Sequence, residues 1–220
     1  MKQCVMFDMD GTLIDSMEFW SGLKYKVCEN YRRRTGDSIF LTPDDQKAIG
    51  KLSLNGAIKY INEHYGVRIN RRLDAMYQLK NFYETDSQLL PYAHELLELL
   101  YADGVKMCLL TATPEFAARA ALKRHGLTKY FRFILTPEKV KGGKFHRPMF
   151  VWALQRLWCL PKNAVLIDDA AYAHRTARRL GIRTIGVYDH FRREDLKPVC
   201  DLVCESLSEL CETYKINKRL

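Results

Sequence analysis

The sequence has no apolar run long enough to cross a membrane. Met1-Lys2-Gln3-Cys4 leads straight into a strand-like segment, so no signal peptide is expected. A cytoplasmic protein without a membrane partner is expected. The seven cysteines are odd in number and scattered, which fits a reducing cytosol better than a disulfide framework. Cys200 and Cys204 are joined by no second Cys or His pair at ligand spacing, so zinc is not expected. Internal repeats, low-complexity segments and RNA- or DNA-binding modules are all missing. The net charge of +9 lies in short clusters: Arg32-Arg33-Arg34, Arg71-Arg72, Arg178-Arg179, Arg192-Arg193 and the tail Lys215–Arg219. Such a charge suits anionic substrates or nucleic acid, but short clusters read as solvated helix faces and ends. No nucleic-acid partner is expected. A monomer is expected, with an oligomer left open.

What is present is globular: 220 residues, 47% hydrophobic and 28% charged. That is enough for one large domain or a domain with an insert. The stretch Val5–Ser16 organises the rest. Gln3–Phe7 reads as a buried strand, and it ends in Asp8 and Asp10. Carboxylates two apart on a strand share a face, and at a strand's carboxyl end they enter the crevice where open α/β sheets bind ligands. Gly11 permits a sharp turn. Two clustered carboxylates call for a cation, and oxygen ligands suit Mg²⁺. The chemistry on offer is nucleophilic attack by one carboxylate with acid/base help from the other. The plain alternative is a strand followed by an Asp-rich turn.

Ser16 to about Ser87 lacks strand alternation. Phe19, Leu23 and Val27 recur at helical spacing, as do Ile58, Ile61 and Tyr65, then Leu73, Met76, Leu79 and Tyr83. Thr42-Pro43-Asp44-Asp45 reads as a helix start. From Pro91 onward strands and helices alternate, which implies a parallel sheet covered on both faces. The expected fold is α/β. A Rossmann-like core is formed by residues 1–15 and 88–220, with an inserted helical bundle over 16–87.

Three further strand ends carry polar groups. Leu110-Thr111-Ala112-Thr113-Pro114 places a hydroxyl before a helix N-terminus, where it can bind a phosphate oxygen with free backbone N–H groups; alone, Thr111 reads more simply as a helix cap. In Lys141-Gly142-Gly143-Lys144-Phe145, glycines allow close backbone approach and a lysine can neutralise phosphate charge, unless this is a solvated surface loop. Ala164–Ile167 is an apolar strand ending in Asp168-Asp169. An adjacent acidic pair there is costly without a cation or donors, and a helix cap explains only one of the two.

Phe7-Asp8-Met9-Asp10-Gly11-Thr12-Leu13-Ile14-Asp15-Ser16 resembles the first motif of the haloacid dehalogenase-like phosphohydrolases, and the other three pieces match the later motifs in order. The resemblance runs from about Cys4 to Tyr214. It implies a Rossmann-like core with an α-helical cap of the kind found in the phosphatase and β-phosphoglucomutase-like branch. It implies Asp8 as the phosphorylated nucleophile and Asp10 as general acid/base. Thr111, Ala112 and Lys144 would hold the phosphoryl group, with Lys141 the alternative lysine. Mg²⁺ would be bound by Asp8, the carbonyl of Asp10 and Asp169, with Asp168 close by. Departures from the usual pattern are Ala112, Phe145 for a common Pro, Ala170 and Ala171 after the acidic pair, and Pro91-Tyr92-Ala93 where Pro-Gly-Val is frequent.

Asp10 argues against the halide-removing branch, which lacks the second Asp. Trp20 stands where the sugar phosphomutases usually carry His, which counts against a mutase. The resemblance therefore implies an Mg²⁺-dependent phosphatase acting on a small phosphorylated metabolite, such as a sugar phosphate, phosphoglycolate or a nucleotide-like monoester. Its mechanism would pass through an aspartyl phosphate. The alternatives are a phosphomutase of the β-phosphoglucomutase type and a catalytically silent binding protein of this fold. Trp20, Tyr25, Lys51 and Asn55 are candidate specificity residues in the cap.

Overall fold

The computed structural model of the chain describes residues 3–50, 52, 54–187 and 193–220. Lys51 and Arg192, named above, lie outside the described residues. The chain divides into two compact units, Ser16–Asp86 and a second unit made of Met1–Asp15 with Ser87–Leu220.

β1 (Cys4–Phe7) and β2 (Ile14–Asp15) precede the helical unit. That unit contains α1 (Met17–Thr35), α2 (Pro43–Gly50), α3 (Leu54–Tyr65) and α4 (Tyr77–Asn81), the last flanked by π-helical turns at Arg72–Met76 and Phe82–Asp86. The chain returns through β3 (Gln88–Leu89) to α5 (Ala93–Ala102), β4 (Lys106–Leu110), α6 (Glu115–Arg124), β5 (Phe131–Leu135) and α7 (Arg147–Leu157). Then follow β6 (Ala164–Asp168), α8 (Ala171–Arg178), β7 (Arg183–Val187), α9 (Arg193–Leu196), β8 (Leu202–Cys204) and α10 (Leu207–Asn217).

The sheet runs β5-β4-β1-β6-β7-β8, and its neighbouring strands pair in parallel. Parallel strands buried on both faces read as continuous apolar runs. Cys4–Phe7 and Val165–Asp168 are fully buried in this way. Cys4, Met6, Cys108, Leu110 and Leu166 pack with Met149, Phe150, Ala153 and Leu157 of α7 and Ala173 and Ala177 of α8. Val5, Phe7, Met107 and Leu109, one step out of phase, are equally buried and point to the opposite face. β2 and β3 form a separate antiparallel ribbon through which the chain leaves and rejoins the sheet unit.

The helical unit has its own core of Val27, Tyr31, Ile49, Ala57, Ile58 and Ile61. Thr42 caps α2 as its sequence suggests: its hydroxyl accepts from the Asp45 N–H at 3.2 Å, and Asp45 Oδ2 accepts from the Thr42 N–H at 2.9 Å. Gly36 ends α1 with φ 86°.

Two readings change. Arg34 is not simply solvated, because its guanidinium grips the buried Asp74 with two bonds of 2.8 Å. Cys4 and Cys159 pair as a disulfide, with Cα atoms 6.6 Å apart. The start of β1 and the turn after α7 meet on one face of the sheet, across a separation of 155 residues that no spacing rule reads. No helix of the described residues is long and apolar enough to cross a membrane.

Candidate active site

β1 is central and lies between β4 and β6. Phe7 is in register with Leu109 on one side and Ile167 on the other. The next step along these strands therefore brings Asp8 beside Asp168, and the Asp8 N–H continues the ladder to the Ile167 carbonyl at 2.9 Å. One step past β4, Thr111 extends its own ladder with an N–H bond to Leu135 at 3.1 Å. Three strand ends thus converge, as open parallel sheets arrange for ligands.

Asp8, Asp168 and Asp169 are all buried, and one carboxylate oxygen from each lies within 4.8 Å of the others. Lys144 comes from a 3₁₀ turn, Gly143–Phe145. Its buried ammonium lies 2.7 Å from Asp8 and 2.8 Å from Asp168. Lys141, by contrast, is exposed. The remaining oxygens are held by local backbone: Asp8 Oδ1 accepts from the Met9 N–H at 2.7 Å, and Asp168 Oδ1 from the Ala170 N–H at 2.8 Å.

Charge does not balance within this cluster. Three carboxylates face one ammonium. Burial, followed by the Asp168 carboxylate, pushes the Asp8 carboxyl well above its usual range; Asp169 and Asp10 add to this and Lys144 opposes it. Burial alone would lower Lys144, but Asp168 and Asp8 outweigh it and hold the ammonium protonated. Three buried carboxylates gathered at one point, with only oxygen ligands on offer, fit a divalent cation.

Asp10 is half-buried in the turn after β1. Thr113 donates its hydroxyl to Asp10 Oδ2 at 2.6 Å. The buried Thr111 hydroxyl accepts from the Thr113 N–H at 3.0 Å, which leaves its own proton for a ligand. Ala112 is exposed between them and has only backbone to offer.

Sequence reasoning singled out Thr111 and missed Thr113, whose role depends on where Asp10 is placed. It also missed His174. That buried ring lies 2.9 Å from the Asp168 carbonyl through Nε2, so Nε2 carries the proton, and Nδ1 has no partner among the described residues. Burial lowers its pKa, which keeps the ring neutral. Of the specificity candidates, Trp20 donates to the Tyr83 hydroxyl at 2.9 Å and Tyr25 to the Gln46 carbonyl at 3.2 Å; Asn55 is exposed.

Residues 5–187 match the family described as haloacid dehalogenase-like hydrolase. The chain belongs to this family of hydrolases. Among the haloacid dehalogenase-like relatives, a phosphorylated carbohydrates phosphatase of Thermotoga maritima is 26% identical over 189 residues, covering 83% of each chain. Hexitol phosphatase A of Escherichia coli is 27% identical over 214 residues, 96% of this chain and 94% of that one. The fold matches the crystal structure of CbbY from Rhodobacter sphaeroides in complex with phosphate, with a TM-score of 0.76, 20% identity and 96% of both chains covered. The α/β architecture is thus that of haloacid dehalogenase-like enzymes.

Proposed function

We propose that the chain is an Mg²⁺-dependent phosphatase that hydrolyses a small phosphorylated metabolite through an aspartyl phosphate on Asp8. The observation that carries this reading is the buried group of Asp8, Lys144, Asp168 and Asp169 at one set of strand ends. The phosphatases among the relatives support the substrate class.

Asp8, the Asp10 carbonyl and Asp169 would hold Mg²⁺, with Asp168 beside them. When bound, the cation offsets the negative charge of carboxylates and phosphoryl group and favours the ionised Asp8. Asp8 attacks phosphorus in line, forming the new O–P bond as the ester O–P bond breaks. Asp10 gives a proton to the departing alkoxide. Asp10 then takes a proton from the water that attacks the aspartyl phosphate, which releases inorganic phosphate and restores the Asp8 carboxylate. The Lys144 ammonium and the Thr111 hydroxyl, with backbone N–H groups near Ala112, stabilise the phosphoryl oxygens throughout. Phosphoryl transfer needs such positioning and electrostatic stabilisation.

Thr113 keeps the Asp10 carboxylate in one orientation. The helical unit, Ser16–Asp86, would select the leaving group as a cap. Turnover of an aryl phosphate with and without Mg²⁺ tests the proposal. Mg²⁺-dependent release of phosphate is expected, and the absence of any hydrolysis would leave a binding protein of this fold.

A further inference from the structure

The turn that carries Lys144 is closed by two backbone bonds, from the Gly143 N–H to the Val140 carbonyl at 3.0 Å and from the His146 N–H to the Gly143 carbonyl at 3.1 Å. Gly142 and Gly143 both take positive φ, 88° and 55°, and glycine has the most conformational freedom to lose. No proline stands within Gly142–Arg147 to fix φ. Yet Lys144 is held at once to Asp8 and Asp168.

A further restraint lies on the turn's outer side. The ring of Phe145, 65% exposed, lies flat on Tyr172, with centroids 3.8 Å apart and planes 6° apart. The Thr176 hydroxyl reaches the Phe145 carbonyl at 3.4 Å and the Tyr172 carbonyl at 3.1 Å. Tyr172 and Thr176 are one turn apart on α8, the helix that follows Asp168 and Asp169 directly. The lysine turn and the acidic strand end are thereby fastened together. Burial pushes the Tyr172 phenol up to about 12, so the ring brings no charge to the site at neutral pH.

We infer that the Phe145–Tyr172 stack is a positioning device for Lys144, setting the reach of its ammonium toward Asp8, Asp168 and the transferring phosphoryl group. The inference rests on the phosphoryl-transfer reading above. Neither ring is among the groups proposed above to hold the phosphoryl oxygens. Without the stack, the Gly142–Phe145 turn samples other conformations, and the ammonium spends less time where charge develops. Small misplacements of this kind cost rate out of proportion to their size.

The test compares variants that remove a ring with variants that keep one. Phe145→Ala, Phe145→Leu and Tyr172→Ala should each lower kcat by about 10- to 100-fold, with KM changed less than about 3-fold and the same factor for substrates with different leaving groups. Phe145→Trp and Tyr172→Phe should stay within about 3-fold of the wild type, because a stacked pair survives. The affinity for beryllium fluoride, read without turnover, should fall in the ring-deleted variants only. The double variant Phe145→Ala/Tyr172→Ala should be no worse than the poorer single one. Wild-type kcat in both Phe145→Ala and Phe145→Leu overturns the inference, as does an equal loss in Tyr172→Phe or an additive double variant. An inactive wild-type chain would overturn the phosphatase reading itself; an active one with active ring-deleted variants overturns this inference alone.

Discussion

Thr113 donates its hydroxyl to Asp10 at 2.6 Å, across a separation of 103 residues. Asp10 leaves the turn after β1, and Thr113 follows β4. Because the two strands are neighbours, the bond ties the Asp10 carboxylate to the segment that follows β4. Thr113→Val keeps the shape and removes the donor. It should lower kcat by about 10-fold through a misoriented acid/base, with a larger effect on poorer leaving groups. Steady-state kinetics over a series of aryl phosphates checks this, and the melting temperature should barely move.

Lys144 is the sole ammonium touching Asp8 and Asp168 among the described residues. Lys144→Met should destabilise the sheet unit by about 3 kcal/mol at neutral pH, since breaking a buried ion pair strands its partners. The loss should shrink in acid as the Asp8 carboxyl, pushed above its usual range, takes up a proton, and Mg²⁺ should recover part of it. Denaturant unfolding at two pH values, with and without Mg²⁺, reads both effects.

Much of this site was legible in the sequence because each part is an apolar run that stops at a polar group. A buried strand announces its end, and a parallel sheet gathers such ends at one edge. The short elements carried no such signal. The two-residue strands Ile14–Asp15 and Gln88–Leu89 are too brief for any periodicity. Thr113 looks like one more residue of a helix cap until Asp10 is beside it. Tyr92 adopts φ 65°, a left-handed conformation more natural to the Gly that often stands there in the family, and nothing local in the sequence predicts that a tyrosine accepts it. Arg34 and Asp74 lie 40 residues apart, so only the packing of α1 against the turn at Arg72–Met76 reveals their bond.

The helical unit should show its own acid sensitivity. The Thr42 hydroxyl, followed by the Tyr65 and Tyr60 hydroxyls, holds the Asp45 carboxyl well below its usual range. A depressed folded pKa contributes stability that is present above the unfolded value of about 3.9 and is lost as pH falls through the folded one. Wild-type protection of α2 and α3 from hydrogen exchange should therefore drop steeply below about pH 4. Asp45→Asn should be less protected at pH 7 and show a flatter decline over the acid range.

Asp169 tests the cation. If it is a direct ligand, Asp169→Asn should raise the Mg²⁺ concentration needed for half-maximal activity by about 10-fold or more, as expected when a charged oxygen ligand is lost. Binding measured by calorimetry on the resting protein should weaken in step. Unchanged activity at low Mg²⁺ would remove Asp169 from the ligand set.

The central claim is that Asp8 carries the phosphoryl group. The most direct measurement is to quench the enzyme during turnover of a substrate labelled in its phosphoryl group and map the modified residue. The account predicts label on Asp8, its loss on base treatment, and no turnover by Asp8→Asn. Label on any other residue, or full turnover by Asp8→Asn, would contradict it.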